Sequence, residues 1–338
     1  VIDAMSNTTV SPLGQINGAG DARALFLKKF SGDVLVEFHN RVFMREFVMS
    51  KTLTSGKSYQ FPATGRATAT RHAKGEDIFD ASNSYLNTIG HAERVIHLDR
   101  PLVAPVVVDD WEELVNHYDT RATYAGELGQ ALAEKLEQDL MRVGILTSRE
   151  SATVTGGGSQ TEIVNTLATA GDIVDACFVA AQQFNEKKVP MSDRIFVLPW
   201  EQYYEVVKGA PEQVATSTSA AVAHPFRAET GDSGNGSVAE GYVKKIAGIT
   251  LYPTNLLPQT DESGTTDAGA FNTYYDDFST ITGLFLQKSA IGLVTGRDVT
   301  VQGEDVLGTM SFNMVASYVM GAGPLRPESA IQVVSTAS

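Results

Sequence analysis

The chain has 338 residues, 43% of them hydrophobic and 20% charged, with a formal net charge of -14. That is enough for one large domain or two modest ones around a real core, and it argues against a free DNA-binding domain, whose phosphate contacts need a Lys/Arg surplus. The single cysteine, Cys177, excludes an intramolecular disulfide and a cysteine-built zinc site.

Residues 1–20 are small and polar without periodicity and read as a flexible arm with no secretory signal. Asp21 and Ser31 are candidate caps for two short amphipathic helices. Residues 51–74 change character: Gly, Ser and Thr are frequent, and Lys51, Lys57, Arg66, Arg71 and Lys74 stand without an acid, a net +5. This pattern predicts a long extended hairpin with little core of its own, which needs a partner surface. Residues 94–108 read as a strand. Their apolar run, LVAPVVV, is far shorter than the ~20 residues that cross a bilayer, so no membrane partner is expected.

Asp110 with Glu113 forms a capping box, and Leu114, Tyr118, Ala125, Leu128, Leu132, Leu136 and Leu140 keep helical spacing to about Met141. At ~1.5 Å per residue this helix is about 46 Å long. A loop at 156–159 leads to a second helix over 161–187, whose amphipathic IVDACFVAAQQF makes Cys177 a buried thiol. RIFVL (194–198) reads as a buried strand, with Pro199 opening the next helix. Residues 209–238 and 258–278 read as long surface loops around a strand, KKIAGITLYP. The end is strand-rich: TGLFLQ, IGLVTG, DVTVQ and FNMVASYVM, the last alternating on Phe312, Met314, Ala316 and Tyr318. The fold class is α+β.

Signs of catalysis do not hold up. Gly56-Lys57-Ser58 is half of a phosphate-binding loop, but Lys51 stands where the first glycine is needed, and Pro62 and Gly65 break the required helix. GDSG at 231–234 has His224 nine residues upstream, in a low-complexity loop. The six histidines form no metal-ligand pattern, and His91 and His97 bracket a strand. The acidic stretch DESGTTDAGAFN has Asn272 where a calcium loop needs glutamate. Asp109, Asp110, Glu112 and Glu113 complement a helix N-terminus. No catalytic residue, metal or cofactor is expected.

Six stretches in order, GDARALFLKKFSGDVLVEF, SGKSYQFPATGR, HAERVIHLD, NHYDTRATYAGELGQALA, VPMSDRIFV and YVMGAGPLRPESA, resemble the major capsid proteins of short-tailed double-stranded-DNA phages from about Gly20 to the C-terminus. The resemblance implies the Johnson, or Hong-Kong-97, capsid fold. It assigns an N-terminal arm to 1–50 and an E-loop to 51–92. A peripheral domain would comprise 93–159 and 291–328, with a spine helix at about 110–141. An axial domain would comprise 160–290 and 329–338. It implies a structural, non-enzymatic subunit that forms hexamers and pentamers of an icosahedral shell around packaged double-stranded DNA. The expected partners are further copies of itself, a separate scaffolding protein and a portal at one vertex, with assembly in the host bacterial cytoplasm and a final place in the virion. The rivals are an encapsulin-type nanocompartment shell and a nucleotide-binding enzyme built on Gly56-Lys57-Ser58.

Two charge patterns then become expectations. Residues 22–51 carry a net +3, and the fold lays this arm on the inner side, which nominates Arg23, Lys28, Lys29 and Arg41 as DNA-facing. Residues 109–141 carry nine acids against Arg121 and Lys135, a net -7, opposite the +5 of the E-loop. This nominates Lys57, Arg66 and Arg71 on the loop and Glu112, Glu113 and Asp119 on the helix as contacts between subunits.

Overall fold

The computed structural model describes residues 43–65, 67–80, 85, 89–109, 121–153, 161–209, 245–267, 269–306, 308 and 310–336. Asp21, Ser31, the Asp110–Glu113 box and the GDSG stretch lie outside them.

The long helix is the frame. It is described from Arg121 and runs to Arg149 (α1), past the expected end near Met141. It continues because its burial continues on all sides: Met141, Val143 and Ile145, successive pairs of which lie on opposite sides of the helix, are fully buried. Gly144 reads locally as a breaker. Here it permits close packing instead, since a Cβ at 144 would lie 2.9 Å from a Leu284 methyl.

One half of α1 packs on a four-stranded sheet of β1 (Met49–Thr52), β10 (Ile291–Val306), β11 (Ser311–Pro324) and β4 (Leu102–Asp109), in that spatial order. Strand β1 is parallel to β10 and the other pairs are antiparallel. The alternation read in the last long strand holds on its inner face, where Met314, Ala316 and Tyr318 are fully buried in one core with Leu132 and Leu136, but Ser317 on the other face is buried too. IGLVTG and DVTVQ are one strand rather than two, joined through register shifts between Thr295, Arg297 and Thr300.

The other half of α1 packs on a six-stranded sheet. Its order is β5 (Glu162–Val164), β12 (Ala330–Val334), β9 (Ile281–Gln287), β6 (Arg194–Leu198), β8 (Ile249–Pro253) and β7 (Lys245–Ile246). Ile195, Val197, Leu284 and Leu286 join the α1 core, while Phe196, Leu198 and Phe285 join a second core beneath α2 (Ala170–Glu186) and α3 (Trp200–Gly209). Both faces of β6 are therefore covered, which explains why all five RIFVL residues are buried.

The expected helix over 161–187 is in fact strand β5 followed by α2. Thr169 accepts from the Asp172 backbone N–H, and the Asp172 carboxylate accepts from that of Thr169. This reciprocal box starts the helix at residue 170, not 161. Cys177 on its inner face is buried, and burial pushes the thiol up to about 12.

The expected strand over 94–108 is also two. β3 (His91–His97) pairs antiparallel with β2 (Ser58–Thr64) as a separate two-stranded hairpin, and the chain turns through Leu98–Pro101 into β4. His91 and His97 end β3 and are exposed, as their bracketing positions suggest. The stretch 258–278 is irregular, as read, but it is no loose surface loop: Tyr274 and Phe278 are buried and it lies against α1.

Candidate assembly surface

The hairpin β2/β3 leaves the body at the Ser58–His97 end, and its far end is Thr64 opposite His91. Among its described residues, only those toward the root share a core, where Phe61 and Ile96 pack with Val294 and Leu325. Beyond Gly65, every described residue to Asp80 is exposed. Three features hold the root at a set angle. Asp99 accepts from the Phe271 and Asn272 backbone N–H groups, from the Asn272 side chain and from the Tyr274 hydroxyl. Asn272 also donates to the His97 carbonyl at 2.8 Å. Gly321 of β11 lies so close beneath that a Cβ there would sit 1.8 Å from the same carbonyl oxygen.

The helix end of this surface is braced by buried charge. Arg142 donates to Asp139 at 2.9 Å and forks onto Glu262 at 2.8 and 3.1 Å. Lys135 bridges Asp139 and Asp267 and donates to the Tyr275 hydroxyl at 2.8 Å. Burial raises the Asp139 carboxyl, against the pull of Lys135 and Arg142. Glu262 and Asp267 of the acidic stretch thus clamp α1 rather than converge on a cation. Among the described residues, no group of His, Cys, Asp and Glu side chains could hold a metal ion. No described helix is long and apolar enough to cross a membrane.

Glu137 has a different task. Its carboxylate accepts from the backbone N–H groups of Phe43 and Met44, which open a 3-10 turn over Met44–Phe47 that has no side-chain cap of its own. Burial, opposed by these two donors, pushes the carboxyl up to about 7. Phe43 stacks on Tyr252 at 5.5 Å, so the incoming chain is held by both α1 and β8.

The nominated contact residues divide plainly. Lys57 is exposed in the turn before β2, beside Gly56 at φ +110, and a strand follows it where a phosphate-binding loop needs a helix. Arg71 is exposed beyond the hairpin strands. Arg23, Lys28, Lys29, Arg41, Arg66, Glu112, Glu113 and Asp119 lie outside the described residues. Two acids counted toward the helix's negative charge, Glu137 and Asp139, are 3% exposed and committed within the chain, so the expected charge contrast is smaller than the sequence count.

Sequence reasoning also missed a cleft of about 660 Å³ between the hairpin root, the end of α1 and the 271–276 segment. Ile96, Leu146, Phe271 and Pro324 give it apolar walls, and Arg94 and Arg149 give it charge. Arg94 donates to Glu150 at 3.1 Å and Arg149 to Asp276 at 2.8 Å, while the Nε of Arg94 is buried without a partner. Its residues come from four distant stretches, and no local pattern announces it.

The architecture matches that of known shells. The chain aligns with the capsid structure of the cyanophage P-SCSP1u at a TM-score of 0.73 and 31% identity, over 98% of this chain and 100% of that one. It is 30% identical to the major capsid protein of Escherichia phage T7 over 341 residues, covering 94% of this chain and 93% of the T7 protein. It is 28% identical to the major capsid protein of Enterobacteria phage T3 over 335 residues, covering 95% and 94%. A hairpin arm, a long helix and two sheets in this arrangement define a phage shell subunit of the Hong-Kong-97 fold. The model of the Gp10A-like major capsid protein family matches residues 60–334, and the chain belongs to that family.

Proposed function

We propose that the chain assembles as hexamers and pentamers into an icosahedral shell around packaged double-stranded DNA, with a separate scaffolding protein and a portal at one vertex. The observation that carries this is the hairpin's extension over 67–80: exposed throughout, yet carried on a hairpin whose root is held to the body. Such an element gains its burial from neighbours. On this reading residues 51–92 are the E-loop, α1 is the spine, the four-stranded sheet belongs to the peripheral domain and the six-stranded sheet to the axial domain. Residues 1–50 are the arm, entering through the Glu137 clasp, and Arg23, Lys28, Lys29 and Arg41 face the DNA.

Lys57, Arg66 and Arg71 of one subunit meet Glu112, Glu113 and Asp119 of the next. Each exposed pair contributes only about 0–1 kcal/mol, so their effect is on orientation and association rate. Production of the full chain with its scaffolding partner, viewed by negative-stain microscopy, tests the reading. Closed shells built from rings are expected. A monodisperse monomer at high concentration, unchanged by scaffold, overturns it.

A further inference from the structure

We propose that the exposed Ile78–Phe79 pair on one subunit's hairpin extension docks into the Arg94–Phe271 cleft of a neighbouring copy. The inference rests on the shell-subunit reading and assigns it a contact. Phe79 is 80% exposed and Ile78 is 48% exposed, so neither fills a cavity of its own chain. Their segment is nevertheless organised. The Phe79 backbone N–H donates to the Asp77 carboxylate at 2.9 Å, the Ala73 N–H donates to the Tyr85 hydroxyl at 3.0 Å, and that hydroxyl donates to Glu76. A large apolar pair held out on an ordered turn costs little entropy to bury and is the kind of anchor that dominates an interface.

The cleft supplies what the pair lacks. Ile96, Leu146 and Pro324 offer apolar contact, and Phe271, itself 65% exposed, offers a second aromatic ring. Charge fits as well. Glu76, Asp77 and Asp80 flank the pair, and the cleft wall holds two partly exposed guanidinium groups, Arg94 and Arg149, each paired with one acid of its own chain and open on its exposed side to a second carboxylate. Anchor and cleft are different patches of one chain. Their union between copies is therefore a head-to-tail contact, the type that closes identical subunits into rings.

Cysteine trapping tests this in shells of the full chain. The native Cys177 is buried and gives a silent background. Shells of the Phe79→Cys/Phe271→Cys double variant, treated with a mild oxidant, are expected to give a ladder of covalent oligomers on a non-reducing gel. Reductant should erase the ladder, and each single variant should stay monomeric on the gel. If loss of both rings blocks assembly, the Ile78→Cys/Ser151→Cys pair keeps them and carries the same expectation. Shells of either pair without a ladder overturn the docking while leaving the proposed function standing. Failure of the unsubstituted chain to form shells overturns both. Should neither pair assemble, a reconstruction of the unsubstituted shell decides. Phe79 within about 4.5 Å of a neighbour's Phe271 supports the contact. Phe79 seated elsewhere, or scaffold or another segment in the cleft, overturns it.

Discussion

Replacing Gly321 with alanine should loosen the hairpin without substituting any surface side chain. The added Cβ would stand 1.8 Å from the His97 carbonyl oxygen and 2.9 Å from its carbon, both backbone atoms that cannot rotate aside. Ordinary C···O contact is about 3.3 Å, so the end of β3 must retreat by roughly 1.5 Å. Overpacking of this kind costs about 1–3 kcal/mol. The same retreat stretches the Asn272–His97 hydrogen bond, worth about 1 kcal/mol net, and brings the total to roughly 2–4 kcal/mol. From His97 to His91 the hairpin runs about 20 Å, at ~3.4 Å per residue, so movement at the root is carried outward to the residues that meet a neighbour. Urea denaturation of the unassembled chain reads the first effect, and the yield of shells under fixed scaffold reads the second. Gly126→Ala is the matched control, because nothing lies within 4 Å of a Cβ there and a helical site favours alanine. A Gly321→Ala chain that unfolds at the wild-type midpoint and assembles at the wild-type rate refutes the reasoning.

Arg142→Met should destabilise the chain by about 3 kcal/mol in chemical denaturation, since Glu262 loses its cation and Asp139 keeps only Lys135; a loss under about 1 kcal/mol would mean that water already serves these groups. For Glu137, the folded carboxyl at about 7 holds a proton that the unfolded chain, near 4.5, has released. Stability from this group therefore falls as pH rises between those values and is level above them. Glu137→Gln, which still accepts from Phe43 and Met44, should flatten the wild-type slope in thermal melts from pH 5 to 8, and an unchanged slope would assign it to other groups. Arg66→Glu with Arg71→Glu should slow assembly while leaving the melting temperature of the unassembled chain within a degree or two. Raising salt well above physiological strength, where the Debye length drops below about 8 Å, should slow the wild type in the same direction. Light scattering follows both, and normal assembly by the reversed chain would defeat the charge pairing.

Local pattern determined much of this protein by itself. The long helix, RIFVL, the alternating last strand and the buried Cys177 were legible because burial on one face imposes a period that the sequence must carry. That residues 67–74 stand off the core was legible for the opposite reason, that they offer nothing to bury, but the hairpin read within 51–74 was not: Lys51 and Thr52 belong to β1 beside β10, and β2 pairs with β3 at His91–His97. The order of six stretches was enough to point to the family. Tertiary structure decided the rest. Helix α1 passes Met141 because Gly144 fits against Leu284, a contact 140 residues away in sequence. Glu137 and Asp139 looked like surface charge and are buried, one serving the Phe43–Met44 backbone and the other Lys135 and Arg142. The stretch 258–278 has the composition of a free loop but is pinned by Glu262, Asp267 and Tyr274. The cleft and the fixed angle of the hairpin depend on Asp99, Asn272 and Gly321 meeting from separate parts of the chain. Propensity and periodicity act over a few residues, whereas the partner that satisfies a buried charge, or the backbone that forbids a Cβ, is chosen only when distant segments pack.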